Sequence, residues 1–197
     1  MSNSFHAPIA TGRESAGLPA GRLGTWWVVA SEIVIFGGLI ASFIMYRLRH
    51  GEFWASQAEH TKLYAGALNT FILLTSSYFA VCAHQAAQQG NGKKAAKLLF
   101  RTILLGAGFL CVKAYEYTSE ITAGYGPLSD LFWSFYYIST GLHGLHVIAG
   151  MIMMAIIAKD ASKENHLQRV ECIGIYWHFV DVVWIFLFPL FYIASGL

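Results

Sequence analysis

Charge and apolar length alternate in blocks along the chain. No Asp, Glu, Lys or Arg occurs in residues 65–92, 102–112 or 131–158, and the stretches 24–46 and 172–197 carry one each, Glu32 and Asp181. A hydrocarbon core roughly 30 Å thick is crossed by about 20 residues of helix. Laid over these blocks, that length predicts five spans at about 24–46, 65–88, 98–118, 131–158 and 172–195. Backbone N–H and C=O groups find no water in lipid, so each span must pair its own backbone as a helix. The fourth block, 28 residues long, predicts a helix of about 42 Å that tilts or protrudes. The pattern is that of an all-α integral membrane protein, a bundle of five transmembrane helices. Its connections are too short for a soluble catalytic domain, and no internal repeat is evident. The first 23 residues are polar and Gly/Pro-rich and lack the apolar core of a cleaved signal. They predict a flexible polar tail (1–23) ahead of a transmembrane domain (24–197).

Composition sharpens this picture. The chain is 56% hydrophobic and 12% charged, where a soluble domain carries about 25% charged residues. The few cations then set orientation. Arg13, Arg22, Lys93, Lys94, Lys97, Arg101, Lys159, Lys163 and Arg169 fall on the side of the tail, against Arg47, Arg49 and Lys62 on the other. That excess predicts a cytoplasmic N-terminus and a periplasmic C-terminus. Cys82, Cys111 and Cys172 show no metal- or haem-binding spacing and read as small buried hydrophobes. A net charge of +2 without a basic aromatic stripe gives no sign of nucleic-acid binding. Small residues at helical spacing, Ala30, Gly37 and Ala41 with Ser31, Gly38 and Ser42 beside them, and Gly141, Gly144 and Gly150, predict close helix approach.

The candidate chemistry is the set of polar side chains inside the spans. Glu32 lies deep in the first span, where a carboxylate costs about 2.5–3.5 kcal/mol on insertion scales. A proton, lipid or gas-pathway group and an acid bonded to a neighbouring helix are both open readings. His178 and Asp181, in YWHFVDVVW, are three residues apart on one helix side, which predicts that Asp181 accepts a hydrogen bond from the imidazole. His143 and His146, in GLHGLHV, share the same spacing, and His146 is predicted at the depth of Asp181, so a contact between them is expected. Together Glu32, His143, His146, His178 and Asp181 form a candidate buried polar network. Lys113 and Glu116, also three apart, predict an ion pair at the outer interface with the lysine reaching outward. Pairs at this spacing put both imidazoles on one wall, which disfavours haem or metal ligation relative to interhelical hydrogen bonding.

Five segments in order carry a resemblance: SE at 31–32, LNTFILLTSS at 68–77, KAYEY at 113–117, GLHGLHVIAGM at 141–151 and YWHFVDVVWIFLF at 176–188. They are similar to subunit III of haem-copper oxidases across all five spans, in the short bacterial five-helix form. Larger members have seven helices, with a lipid-filled cleft between the first two and the other five. The resemblance implies a noncatalytic subunit of a proton-pumping cytochrome c oxidase in a bacterial inner membrane. It would pack on oxidase subunit I, in a complex with subunit II and with cytochrome c as donor. It would bind phospholipid and support oxygen access and proton uptake. Haem and copper are expected in the partner subunits, with no cofactor or metal in this chain and no catalytic residue. Glu32 matches the family's intramembrane glutamate, and Glu116, His143, His146, His178 and Asp181 match its other polar positions. The alternatives are a quinol oxidase subunit III or a homologue associated with nitric oxide reductase. From other classes, they are a proton-coupled transporter, which would want a polar lumen or an inverted repeat, or a haem-b membrane anchor.

Overall fold

A computed structural model describes residues 14, 15 and 18–193, and most of the expected tail and the last four residues lie outside them. A pair of two-residue antiparallel strands, β1 (Glu14–Ser15) and β2 (Leu18–Pro19), precedes α1 (Ala20–Arg49). The remaining helices are α2 (Gly51–Ala58), α3 (Leu63–Gln88), α4 (Gly92–Thr122), α5 (Leu131–Ser162) and α6 (Arg169–Phe188), which continues as one π turn over Pro189–Ile193. Five of these helices are long and apolar enough to cross a membrane. They overrun the apolar blocks at most ends: α4 begins at Gly92 and takes in Lys93 and Lys94, and α5 runs on to Ser162. Polar residues beyond the hydrocarbon keep helical hydrogen bonds just as well as apolar ones.

Local chemistry sets the ends. Asn91 Oδ1 accepts from the Lys94 N–H and Asp130 Oδ1 from the Trp133 N–H, each at 3.0 Å, and cap α4 and α5. The C-termini of α3, α4 and α5 close on a left-handed residue, Gly90 (φ 75°), Gly124 (φ 95°) and Glu164 (φ 58°). In each case nearby N–H groups bond back into the last turn. Proline has no N–H, so at Pro189 the chain loses one bond to the preceding turn and widens into the π turn. That turn aims Phe191 and Tyr192 into the core.

α6 lies at the centre, against α1, α3 and α5, and α4 bridges α3 and α5. Half of the most apolar window of α6 is buried, against 17% for α1, which sits at the edge on α5 and α6. The small-residue stripe of α1 does not serve the bundle. Ala30, Ser31, Gly37, Gly38, Ala41 and Ser42 are all exposed, and a Cβ at either glycine would touch nothing. The buried side of α1 is set instead by Val29, Phe36 and Phe43. On α5 the close approach is at Gly150, where a Cβ would lie 2.9 Å from the Trp177 ring. Cys111, expected to be buried, is exposed on the outer surface of α4.

The end formed by residues 50–62 and 123–130 is termed outer, after the charge count. There α2, a helix the apolar pattern does not reveal, plugs the bundle. Trp54 is buried edge-on to Phe43 (4.7 Å) and Phe132 (5.6 Å), and Gln57 Oε1 accepts from Trp133 Nε1 at 3.0 Å.

Candidate functional site: polar clusters between the helices

The deepest cluster joins α4, α5 and the π turn. Lys113 Nζ donates to Glu116 Oε2 (3.0 Å), Tyr136 Oη (2.9 Å) and Tyr192 Oη (2.9 Å), so each of its protons has a separate acceptor. Tyr136 in turn reaches Glu116 Oε1 (3.0 Å) and Glu120 Oε1 (3.2 Å). The ammonium also lies 4.7 Å from the centre of the Tyr136 ring and 4.8 Å from that of Tyr117, close enough for cation–π attraction. The ion pair forms, but its lysine does not reach outward. Lys113 is 5% exposed and Glu116 fully buried, because acceptors on two other elements draw the lysine inward and it has no need to reach the headgroups. Glu120, Tyr136 and Tyr192 complete the network, beyond the two residues that spacing suggests. Glu120 was open to detection, since it is four residues from Glu116 and seven from Lys113 on the same helix face. The tyrosines come from distant segments and leave no local sign.

The second cluster joins α1 to α5. Glu32 Oε2 lies 2.9 Å from His146 Nε2, with both side chains largely buried. His146 Nδ1 is 2.8 Å from the Leu142 carbonyl oxygen, which can only accept, so Nδ1 carries a proton. A neutral ring then has a bare Nε2. A protonated ring would form an ion pair with the Glu32 carboxylate across α1 and α5, and Glu32 Oε2 makes no hydrogen bond there. The expected contact between His146 and Asp181 is not made, since His146 is turned toward α1. His143, one turn away, faces the core instead. It is fully buried between Phe109 (5.5 Å) and Trp184 (5.3 Å), and neither ring nitrogen has a hydrogen-bond partner.

The third cluster lies between α3 and α6. His178 Nδ1 is 2.6 Å from Ser77 Oγ. Asp181 is buried with neither oxygen hydrogen-bonded, so the expected bond between His178 and Asp181 is absent. Spacing put both on one side of α6, but the Ser77 hydroxyl on the facing helix takes the imidazole, while Asp181 is turned further into the bundle. Two indoles fasten the same pair of helices, Trp177 Nε1 to Ser76 Oγ and Trp184 Nε1 to Thr70 Oγ1, each at 3.0 Å.

The five residues expected as one network thus divide among three places. Among the described residues no group of His, Cys, Asp and Glu is arranged to hold a metal ion. The three histidines face three directions: the aromatic core, α1 and α3.

Comparison with known proteins bears directly on this arrangement. The family model for cytochrome c oxidase subunit III matches residues 11–196. The chain is 35% identical over 178 residues to cytochrome c oxidase subunit 3 of Thermostichus vulcanus, covering 88% of this chain and 87% of that one. It is also 35% identical over 186 residues to cytochrome bo(3) ubiquinol oxidase subunit 3 of Pseudomonas putida, covering 89% and 86%. The heme-copper oxidase subunit I+III of Aeropyrum pernix is 29% identical over 183 residues, which are 88% of this chain and 22% of that longer one.

Proposed function

The chain belongs to the cytochrome c oxidase subunit III family, and on that premise we propose that it is the noncatalytic subunit III of a bacterial cytochrome c oxidase. It is a multi-pass membrane subunit of a haem-copper oxidase, an oxidoreductase complex. In this reading electrons from cytochrome c reach haem and copper in partner subunits, and this chain packs on subunit I and stabilises it. The observation that carries the reading is the divergence of the histidines. His143 is wedged between aromatic rings, His146 is taken by Leu142 and Glu32, and His178 by Ser77. Among the described residues, the imidazoles of His143, His146 and His178 do not converge on one place, so these three do not fit haem iron or copper as a shared set of ligands. Their chemistry fastens helices instead.

Phospholipid binding and oxygen access are part of the proposal. An apolar surface groove of about 420 Å³ between α3 and α4 is lined by Tyr64, Leu68, Cys111 and Tyr115. Lys62 stands at its outer end, over the Tyr115 ring at 4.8 Å and hydrogen-bonded to Ser119. An acyl chain in the groove and an anionic headgroup at Lys62 suit that geometry. The Glu32–His146 pair, on the loosely packed side of the bundle, is the proposed contact with a lipid, oxygen or proton path.

Quinol as the electron donor is the second reading, favoured by the 35% identity to the Pseudomonas putida ubiquinol oxidase subunit. Purification in mild detergent separates the readings. The chain should come down with a large haem- and copper-containing polypeptide, in a complex that oxidises reduced cytochrome c. Oxidation of quinol alone would move it to the second reading. Isolation of the chain by itself with stoichiometric haem would overturn both.

A further inference from the structure

If both carboxyls of the Lys113 cluster are ionised, the cluster is one proton short of what its contacts require. Tyr136 Oη lies 3.0 Å from Glu116 Oε1 and 3.2 Å from Glu120 Oε1, and a phenol has a single hydrogen to give. With two carboxylates, one of these contacts would set a charged oxygen against a lone pair. The neighbours do not supply the missing hydrogen. The Lys113 ammonium spends its three on Glu116, Tyr136 and Tyr192, and the Tyr192 hydroxyl adjoins Tyr136 at 3.1 Å. Thr140 gives its hydrogen to the Tyr136 carbonyl oxygen, so the Tyr117 hydroxyl donates to Thr140, each at 2.6 Å. Tyr137 donates to the Tyr125 carbonyl oxygen at 3.0 Å, and the Tyr125 amide bonds to the main-chain oxygen of Glu120. The Lys62 ammonium, in the turn before α3, is bonded to Ser119. Glu120 Oε2 is buried and bonds to nothing among the described residues. Charge leads to the same count. One lysine balances one carboxylate, and Glu116 is the one it touches, while Glu120 is 2% exposed. A second carboxylate there would be a buried charge without a partner.

We propose that Glu120 carries the additional proton, and that Glu120, Tyr136 and Glu116 form a proton-binding site that acts as an alkali-sensitive latch on the C-terminal turn. The Glu120 O–H donates to Tyr136 Oη, the Tyr136 O–H donates to Glu116, and Lys113 faces one carboxylate and is free to hold Tyr192. The unbonded Glu120 Oε2 is then a neutral carbonyl oxygen, far less costly to bury bare than half of a carboxylate. The site lies at the outer end, since Glu120 is two residues from Thr122, the last of α4. Release breaks the O–H bond of Glu120, passes the proton to water or hydroxide on that side and leaves a carboxylate. Two carboxylates then compete for the Tyr136 hydrogen and the Lys113 ammonium. The bond from Lys113 to the neutral Tyr192 is the one given up, which frees the turn over Pro189–Ile193. The folded site binds a proton that the same carboxyl releases in the unfolded chain, so the latch weakens as pH rises. The inference stands apart from the oxidase assignment, because every contact lies within this chain.

Infrared and hydrogen-exchange measurements on the full chain, in the complex with which it purifies, test the latch. At neutral pH, subtracting the spectrum of Glu120→Gln should leave an acid C=O band. Raising the pH should abolish that band. Over the same range amide exchange of residues 190–193 should speed up by about tenfold, after correction for the base-catalysed intrinsic rate. Glutamine is a permanent stand-in for the neutral acid, since its NH2 group can donate to Tyr136. Glu120→Gln should therefore keep exchange of these residues slow throughout. Glu120→Asp, which shifts the band instead of removing it, serves should glutamine disturb assembly. Four results overturn the proposal: no acid C=O band from Glu120 at neutral pH, a band that survives alkali, exchange of 190–193 that does not follow the band, or exchange in Glu120→Gln that rises with pH as in the wild type.

Discussion

Lys113 shows what a cation needs inside a bundle of membrane helices. Its three protons go to three side chains on three segments, and Glu116 supplies the countercharge at 3.0 Å. Removing one partner of a buried pair leaves the other charge uncompensated, which costs about 3–5 kcal/mol. Lys113→Met should lower stability by about that amount, read as the unfolding midpoint in detergent, and adding Glu116→Gln should restore part of the loss. A double variant no more stable than the single one would remove the charge from the explanation. The pair itself could be read from its spacing, but its direction could not. Whether a lysine reaches out to headgroups or folds inward depends on Tyr136 and Tyr192, which are 23 and 79 residues away along the chain. The same holds for His178 and Asp181. Helical periodicity placed them on one side, and a serine on another helix decided their bonding.

Whole helices were easier to read than their contacts. Charge-free length is a property of the segment itself, so five spans follow from it. Packing faces are not, because small residues permit close approach without requiring it. The stripe through Gly37 faces away from this bundle, while Gly150 sits against Trp177. Gly150→Ala should cost about 1–3 kcal/mol by overpacking the junction of α5 and α6. Gly37→Ala meets nothing in this chain and should be neutral, or stabilising by up to about 1 kcal/mol through helix propensity. Denaturation midpoints of the two variants check the contrast, and equal losses would refute the assignment of faces. α2 escaped detection because it is only eight residues long, and its single buried tryptophan leaves no periodic trace. The π turn follows from Pro189, but its consequence, Tyr192 at the Lys113 ammonium, depends on the fold around it.

At the scale of the whole molecule the cation asymmetry is the main guide to orientation. Nine cations on the tail side against three on the other predict the N-terminus in the cytoplasm and the C-terminus in the periplasm. A periplasm-dependent reporter such as alkaline phosphatase should be active when fused after residue 197 and inactive when fused near residue 90. The reverse pattern would invert every depth assigned here.

The marginal seat of α1 has a consequence for biosynthesis. This helix leaves the ribosome before the other helices described here, yet the surfaces that receive it belong to α5 and α6, which follow them. About 140 residues separate Arg49 from Ile193, and at roughly 5–20 residues per second they take on the order of 7–30 s to translate. Until His146 is translated, the carboxyl of Glu32 is without its imidazole. The nascent chain must therefore be chaperoned at its beginning until its end arrives.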